Sequence, residues 1–267
     1  MNAENPRLSV VVPAYNEAAR IADPLRRMAA FLAARAESFE IIVVDDGSRD
    51  PTFRVVRETA ADLAAPVHVL RYEPNRGKGY ALKVGIGAAR GERILFTDAD
   101  LSTPIEDAEA LLAALAEGAD LAIGSRRLPG SVIAVHQPWH RELMGSVFTR
   151  IVRWLVADVS DVTCGFKAFR GDVGRDLFSR VRVYDWSFDA EVLLLARRRG
   201  CRLAEVPVRW EDRAGTKVSL LRDTLRSLWG LLRITANDRA GRYRRPHAID
   251  PRAQRWSAGG EPVGAAR

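Results

Sequence analysis

Residues 94–104 read ILFTDADLSTP, an apolar strand that runs straight into two aspartates one residue apart. The segment that follows, EDAEALLAAL at 106–115, has the spacing of an amphipathic helix, with Ser102 or Thr103 as cap and Pro104 in the first turn. The stretch is therefore a strand, an acidic turn and a helix. Asp98 and Asp100 would repel one another unless positive charge sat between them. A divalent cation supplies it, because Mg2+ takes oxygen ligands from one or two carboxylates and completes its shell with substrate phosphates. A capped turn accounts for the same residues without a metal, and D-x-D alone does not separate the two readings.

The same unit recurs to either side. LSVVVPA (8–14) leads into a helix over about 17–35, EIIVVDD (40–46) into a helix after Pro51, and VHVLRY (67–72) into a helix from Gly79. RILFTDAD (93–100) leads into the helix from Pro104, and DLAIGS (120–125) closes the series. Short Val/Ile/Leu runs joined by helices predict strands buried on both faces, hence a mostly parallel sheet in a Rossmann-like three-layer α/β/α domain. Beyond Ser125 the rhythm changes. A loop (126–138) and the helix WHRELMGSVFTRIVRWLVA (139–157) come first, then a short strand region SDVTCGFKAFRGD (160–172) and the helix FDAEVLLLARRRG (188–200). A strand RLAEVPVRW (202–210) and a last helix VSLLRDTLRSLWGLLRI (218–234) complete the pattern. One domain over 1–236 is expected, followed by a basic tail (237–267) without apolar periodicity that should be disordered.

In open parallel sheets ligands bind outside the carboxyl ends of the strands. Glu17 follows the first strand, Asp45 and Asp46 end the second, Asp98 and Asp100 end the fourth, and GSR (124–126) ends the fifth. Any one of these could be a turn or cap residue. Their convergence on one edge calls for compensation, which a cation and a polyanion bridged by it would provide.

Bulk properties narrow the class. The chain has 267 residues, 47% of them apolar, enough for a sizeable core, and a formal net charge of +7 that suits an anionic partner. Cys164 and Cys201 lie too far apart for a zinc site or disulfide framework and suit a reducing cytoplasm. No stretch has the length of a spanning helix or the layout of a leader. A dinucleotide fingerprint is missing from VVPAYNEAAR (11–20), which argues against a dehydrogenase. The arginines are spread over helices and tail with no stacking-aromatic motif, so nucleic acid is not the expected partner. The four histidines are scattered and receive no catalytic role.

VVPAYNE (11–17), VVDDGSRD (43–50), NRGKGYAL (75–82), TDADLSTP (97–104), GSR (124–126) and CGFKAFRGD (164–172) together resemble the family 2 glycosyltransferases, within them the dolichyl- or polyprenyl-phosphate sugar synthases. The resemblance spans about residues 8–236. It implies a GT-A fold with a nucleotide-sugar half (about 8–124) and an acceptor half (about 125–236), and metal-dependent, inverting transfer of a hexose to a lipid phosphate. It places Pro13, Ala14, Tyr15, Glu17 and Asp45 in the nucleotide pocket, Asp46 on the base, Lys78 near the donor phosphates, and Asp98, Ala99 and Asp100 around Mg2+ or Mn2+. UDP-glucose is the expected donor and GDP-mannose the alternative. A polyprenyl phosphate is the expected acceptor, with a soluble hydroxyl acceptor as the rival. Arg126, Arg127, Lys167 and Lys217 are the candidates for its phosphate. Asp189 is a candidate base, although a charge at a helix N-terminus explains it equally well. Two helices with apolar and Arg-rich sides, 141–157 and 218–234, suggest peripheral contact at the cytoplasmic face of a membrane, or else packing on the domain core. The oligomeric state has no signature in the sequence.

Overall fold

The computed structural model describes residues 5–135, 149–153, 158–211, 220–249 and 254–257. Its strands are β1 (Leu8–Ala14), β2 (Phe39–Asp46), β3 (Val67–Tyr72), β4 (Arg93–Phe96), β5 (Leu121–Ser125), β6 (Val132–Val135), β7 (Lys167–Arg170), β8 (Leu203–Pro207), β9 (Arg209–Glu211) and β10 (Gln254–Ser257). The helices are α1 (Ala22–Ala33), α2 (Thr52–Asp62), α3 (Lys78–Ala88), α4 (Ala108–Ala116), α5 (Gly171–Arg180), α6 (Phe188–Arg198) and α7 (Leu220–Arg239). Eight strands form one sheet in the order β10-β3-β2-β1-β4-β7-β5-β8, and β6 pairs with β9 apart from it.

Alternation along each strand builds the two faces. Val10 and Val12 of β1, Ile41 and Val43 of β2 and Leu95 of β4 join Leu25 and Met28 of α1, Val56 of α2 and Leu111 of α4 in one core. Val11, Ile42, Val44, Ile94 and Phe96 point the other way, into a second core with Leu82 of α3, Leu177 of α5, Val192 of α6 and Ile234 of α7. The result is the expected three-layer α/β/α arrangement, a GT-A fold. A glycine sets the spacing of α3: a Cβ on Gly85 would stand 2.5 Å from Val11 and 2.8 Å from Val44, so only hydrogen lets the helix lie this close to the sheet.

Several details differ from the sequence expectation: β6 falls within the expected loop 126–138, and α5 follows β7 where no helix was expected. CGFKAFRGD yields β7, which runs antiparallel between β4 and β5, so a strand from the second half of the chain enters the middle of the sheet. RLAEVPVRW divides at Pro207 into β8, parallel to β5, and β9, parallel to β6. The segment after residue 236 is not wholly disordered, because α7 continues to Arg239, a 3-10 turn covers Arg242–Arg244, and β10 adds antiparallel to β3. One buried tyrosine, Tyr243, whose Oη donates to Glu191 at 2.5 Å, anchors this segment. Such an anchor leaves no periodic trace in a sequence.

Candidate active site

The carboxyl edge gathers the expected acids. β4 stops at Phe96 and the chain turns through Asp98 and Asp100, with Leu101 in the left-handed region (φ 50°) and its N–H donating to Asp98 O at 3.2 Å. Asp100 Oδ1 accepts from Ser102 N at 3.0 Å and Ser102 Oγ at 2.9 Å, so it does cap this turn. Its other oxygen lies 3.9 Å from the Arg20 guanidinium. Asp98, its side chain 38% exposed, is ion-paired through Oδ1 to Lys78 Nζ at 2.5 Å. Burial disfavours the charged amine of Lys78, but Asp98, Asp189 and Asp100 outweigh it and raise its pKa above the ordinary lysine value. The donor set fits a hard divalent cation: two carboxylates with a free or weakly held oxygen each. No group of three or more acid, His or Cys ligands occurs among the described residues, so a cation here would take further oxygens from a phosphate and water. Ala99 between them is buried.

On the nucleotide side Asp45 and Asp46 spend their oxygens differently. Asp46 is buried and its carboxylate is consumed by the turn before α3: Oδ1 accepts from Arg76 N at 2.7 Å, and Oδ2 from Gly77 N and Asn75 Nδ2 at 2.8 Å. Burial raises its pKa despite those donors. Asp46 therefore shapes the Gly-rich turn, with three donors occupying most of the acceptor capacity of its carboxylate. Asp45 is buried as well: Oδ1 accepts from Ser48 N at 3.0 Å, and Oδ2, without a hydrogen-bond partner, lies 3.5 Å from Arg71 Nε in an ion pair. Pro13 and Ala14 end β1 in the core, and Tyr15 stands 40% exposed just beyond. Glu17 is held in place by its own N–H donating to Thr52 Oγ1 at 2.7 Å and by its ion pair with Arg20.

On the acceptor side Arg126 is not a free fork. Its Nε and one terminal nitrogen bond Asp161 at 2.6 and 2.8 Å, its backbone N–H donates to the same carboxylate at 3.1 Å, and Thr163 Oγ1 accepts at 3.0 Å. Burial alone would raise the Asp161 pKa, but Arg126 pulls it down to about 2. The guanidinium also lies over the Trp210 ring at 5.4 Å. Arg127 is exposed at the same turn. Lys167 cannot contact a phosphate: it is fully buried, and its ammonium donates to Val162 O, Cys164 O and Asp189 Oδ1 at 3.1, 2.6 and 2.6 Å. Asp189, its side chain 5% exposed, is thereby excluded as a base that an acceptor could reach. Burial raises its pKa, with Lys167 and Lys78 opposing the rise. Lys217 lies outside the described residues.

Residues 9–178 match the model of glycosyl transferase family 2. The chain belongs to that family. The dolichyl-phosphate beta-glucosyltransferase of Drosophila melanogaster is 37% identical over 225 residues, covering 79% of this chain and 69% of the fly protein. The human enzyme of the same name is 35% identical, with the same coverage of each chain. Among solved structures, glucosyl-3-phosphoglycerate synthase of Mycobacterium tuberculosis with Mn2+, UDP and glucosyl-3-phosphoglycerate superposes with a TM-score of 0.63 at 21% identity over 86% of this chain and 80% of that one. Mannosyl-3-phosphoglycerate synthase of Rubrobacter xylanophilus gives 0.63 at 20% identity, over 92% and 78%. At such identities the two structures speak for the shared fold.

Several residues of this glycosyltransferase escaped the sequence reading. Asp161 is the counterion of Arg126, Arg20 bridges Glu17 and Asp100, and Glu205 accepts from Ser160 N at 2.6 Å and Ser160 Oγ at 2.7 Å, steadying the Ser125–Ser160 contact under the GSR turn. The one available signal was an acid in SDVTCGF with a buried arginine elsewhere in need of it. Chemically, the glycosyltransferase presents acids and Lys78 for a metal-bridged diphosphate on one side and an anchored arginine on the other.

Proposed function

We propose that this glycosyltransferase moves glucose from UDP-glucose to a polyprenyl phosphate, with Mg2+ or Mn2+ held by Asp98 and Asp100. The names of its relatives support the acceptor and the sugar. The observation that carries the reading is chemical: among the described residues, the acceptor-side carboxylates Asp161 and Asp189 are buried in ion pairs. A sugar or glycerate hydroxyl needs a base to take its proton. A lipid monophosphate, with a second pKa of about 6, is already anionic at neutral pH and needs none.

In this mechanism the Asp45–Asp46 end of β2 lies at the nucleobase, Tyr15 covers it, and the Gly77–Lys78 helix start faces the diphosphate with Lys78 charged. The bound metal would supply Lewis-acid stabilisation of the departing diphosphate. Arg126, fixed by Asp161, and exposed Arg127 attract the acceptor phosphate, whose oxygen attacks C1 from the face opposite the leaving group with inversion. Arg126 offers that phosphate the donor atoms Asp161 leaves over.

Membrane contact is part of the same proposal. Among the described residues no helix is long and apolar enough to cross a membrane. On α7, Leu231 and Ile234 pack into the core while Trp229 and Leu232, 63% and 62% exposed, face outward and offer the apolar surface for that contact. Peripheral docking on a cytoplasmic leaflet follows if that face meets lipid. Most of the helix at 141–157 lies outside the described residues.

Titration with a panel of nucleotide sugars, then transfer to a short-chain prenyl phosphate against glycerate and simple sugars, tests the reading. UDP-glucose and the prenyl phosphate are the expected pair. Preference for GDP-mannose overturns the donor, and transfer only to a soluble hydroxyl overturns the acceptor. Co-flotation with anionic vesicles tests the docking.

A further inference from the structure

Lys167 and Asp189, excluded above from contact with substrate, form a buried ion pair that the proposed chemistry leaves unused. Burying two charges contributes little net stability compared with an apolar pair of similar size, so stability alone is a poor reason for it. Its connections suggest another. The Lys167 ammonium has three protons and three acceptors: Asp189 Oδ1 in the first turn of α6, and the carbonyls of Val162 and Cys164. Those two carbonyls belong to the segment 161–165. At one end of it Asp161 and Thr163 hold the Arg126 guanidinium. At the other end Gly165 lies directly against Asp98, where a Cβ would stand 2.1 Å from Oδ2. Five consecutive residues therefore touch both sides of the site, and Lys167 sets where they lie.

Charge alternation adds to the constraint. Asp189 interacts with both Lys167 and Lys78, and Lys78 with both Asp189 and Asp98. With Lys167 gone, Asp189 would be a buried, uncompensated carboxylate competing with Asp98 for Lys78. We propose that Lys167 and Asp189 are positioning residues for glycosyl transfer, fixing Arg126 on the acceptor side relative to Asp98 and Lys78 on the donor side. This rests on the roles given to Arg126 and Asp98 under the proposed function.

The test uses Lys167→Met, Lys167→Arg and the double variant Lys167→Met/Asp189→Leu in the full chain. Thermal midpoint, UDP affinity with and without Mn2+, and kcat and acceptor KM are measured for each. The double variant removes both charges, so it should fold and bind UDP in the absence of metal within about 3-fold of wild type, because Tyr15 and the 75–77 turn are untouched. Its kcat/KM for the acceptor should fall about 100-fold, the scale expected when reacting groups are displaced by about an ångström. Lys167→Met should lose more, and Lys167→Arg should recover part of that loss. A folded double variant with wild-type kcat and acceptor KM overturns the proposal. If the double variant does not fold, Lys167→Arg/Asp189→Glu, which keeps the charges and alters their reach, carries the test, and wild-type kinetics in it overturn the proposal equally. Failure of the acceptor assignment would appear in the wild-type protein. Failure of the positioning role would appear only in the variants, assayed with whichever acceptor the wild type uses.

Discussion

Asp98 shares its exposed carboxylate with Lys78 at 2.5 Å, so a cation entering at Asp98 must displace or tolerate an ammonium. Repulsion between an ammonium and a divalent cation at about 4 Å is worth about 2 kcal/mol in bulk water and about 8 at an effective dielectric of 20. A diphosphate resolves the conflict, since it can take Lys78 and the metal together. Lys78→Met should therefore bind Mn2+ alone more tightly than wild type while binding UDP about 10-fold more weakly, in titrations with and without nucleotide. Equal Mn2+ affinity in the two proteins would refute the competition. Asp98→Asn and Asp100→Asn keep size and, at residue 100, the acceptor for Ser102, so both should fold normally and lose transfer by at least about 100-fold. Retention of activity in chelator would remove the metal from the mechanism. At this scale the sequence showed which acids line the edge but not how their oxygens are spent. Asp45 and Asp46 are adjacent and alike in sequence, and only their partners in the fold distinguish them: Ser48 and Arg71 for the first, Asn75, Arg76 and Gly77 for the second. Lys167 looked like a surface phosphate ligand because nothing in CGFKAFRGD reveals three acceptors converging on its ammonium.

The strand-entry segment before β7 gives two further expectations. Gly165→Ala would bring a methyl to 2.1 Å from Asp98 Oδ2, so the carboxylate must turn away. The variant should fold and bind UDP without metal as wild type does, with transfer reduced roughly 10- to 100-fold. Unchanged turnover would mean that the Asp98 rotamer is free to vary. Asp161 supplies a pH dependence. Its pKa falls from 3.8 to about 2 in the folded protein, so its contribution is fully present above pH 3.8 and disappears as pH falls through about 2. That contribution is about 2 kcal/mol. Asp161→Asn should lower stability at neutral pH, by leaving Arg126 buried without its partner, and should flatten the acid limb of a denaturation series between pH 4 and 2. An acid limb as steep as that of wild type would count against the assignment. The elements themselves were readable where strands are buried on both faces, since VVV, IIVV and ILF admit little else. The insertion of β7 was not readable, because KAFR carries no mark of its neighbours or its direction.

At the scale of the molecule, the segment after α7 closes over the α3–α5–α6 face. Arg180 donates to the carbonyls of Tyr243 and Arg244 at 3.1 and 2.9 Å, and Tyr243 Oη donates to Glu191. Burial pushes the Glu191 carboxyl up to about 7, and the Tyr243 hydrogen bond restrains it. A raised acid pKa means that the folded state keeps a proton the unfolded state has lost, so stability declines as pH rises from 4.5 through about 7. Tyr243→Phe should raise that pKa further, steepen the decline and lower the melting midpoint at pH 8 by a few degrees, for a lost bond worth about 1–2 kcal/mol. Identical melting profiles would show that Tyr243 contributes packing alone. The basic, aperiodic character of this segment suggested a free tail, and composition cannot register one aromatic anchor and a short edge strand. The position of β7 also bears on how the chain is made. During translation β4 and β5 emerge with no partner between them, and the gap stays open until residues 167–170 leave the ribosome. Domains form largely as they are synthesised, and contacts distant in sequence form late. The nascent first half should thus remain open and protease-sensitive, and acquire resistance abruptly once β7 can enter. Ribosome-stalled chains ending before and well after residue 170 would reveal that step.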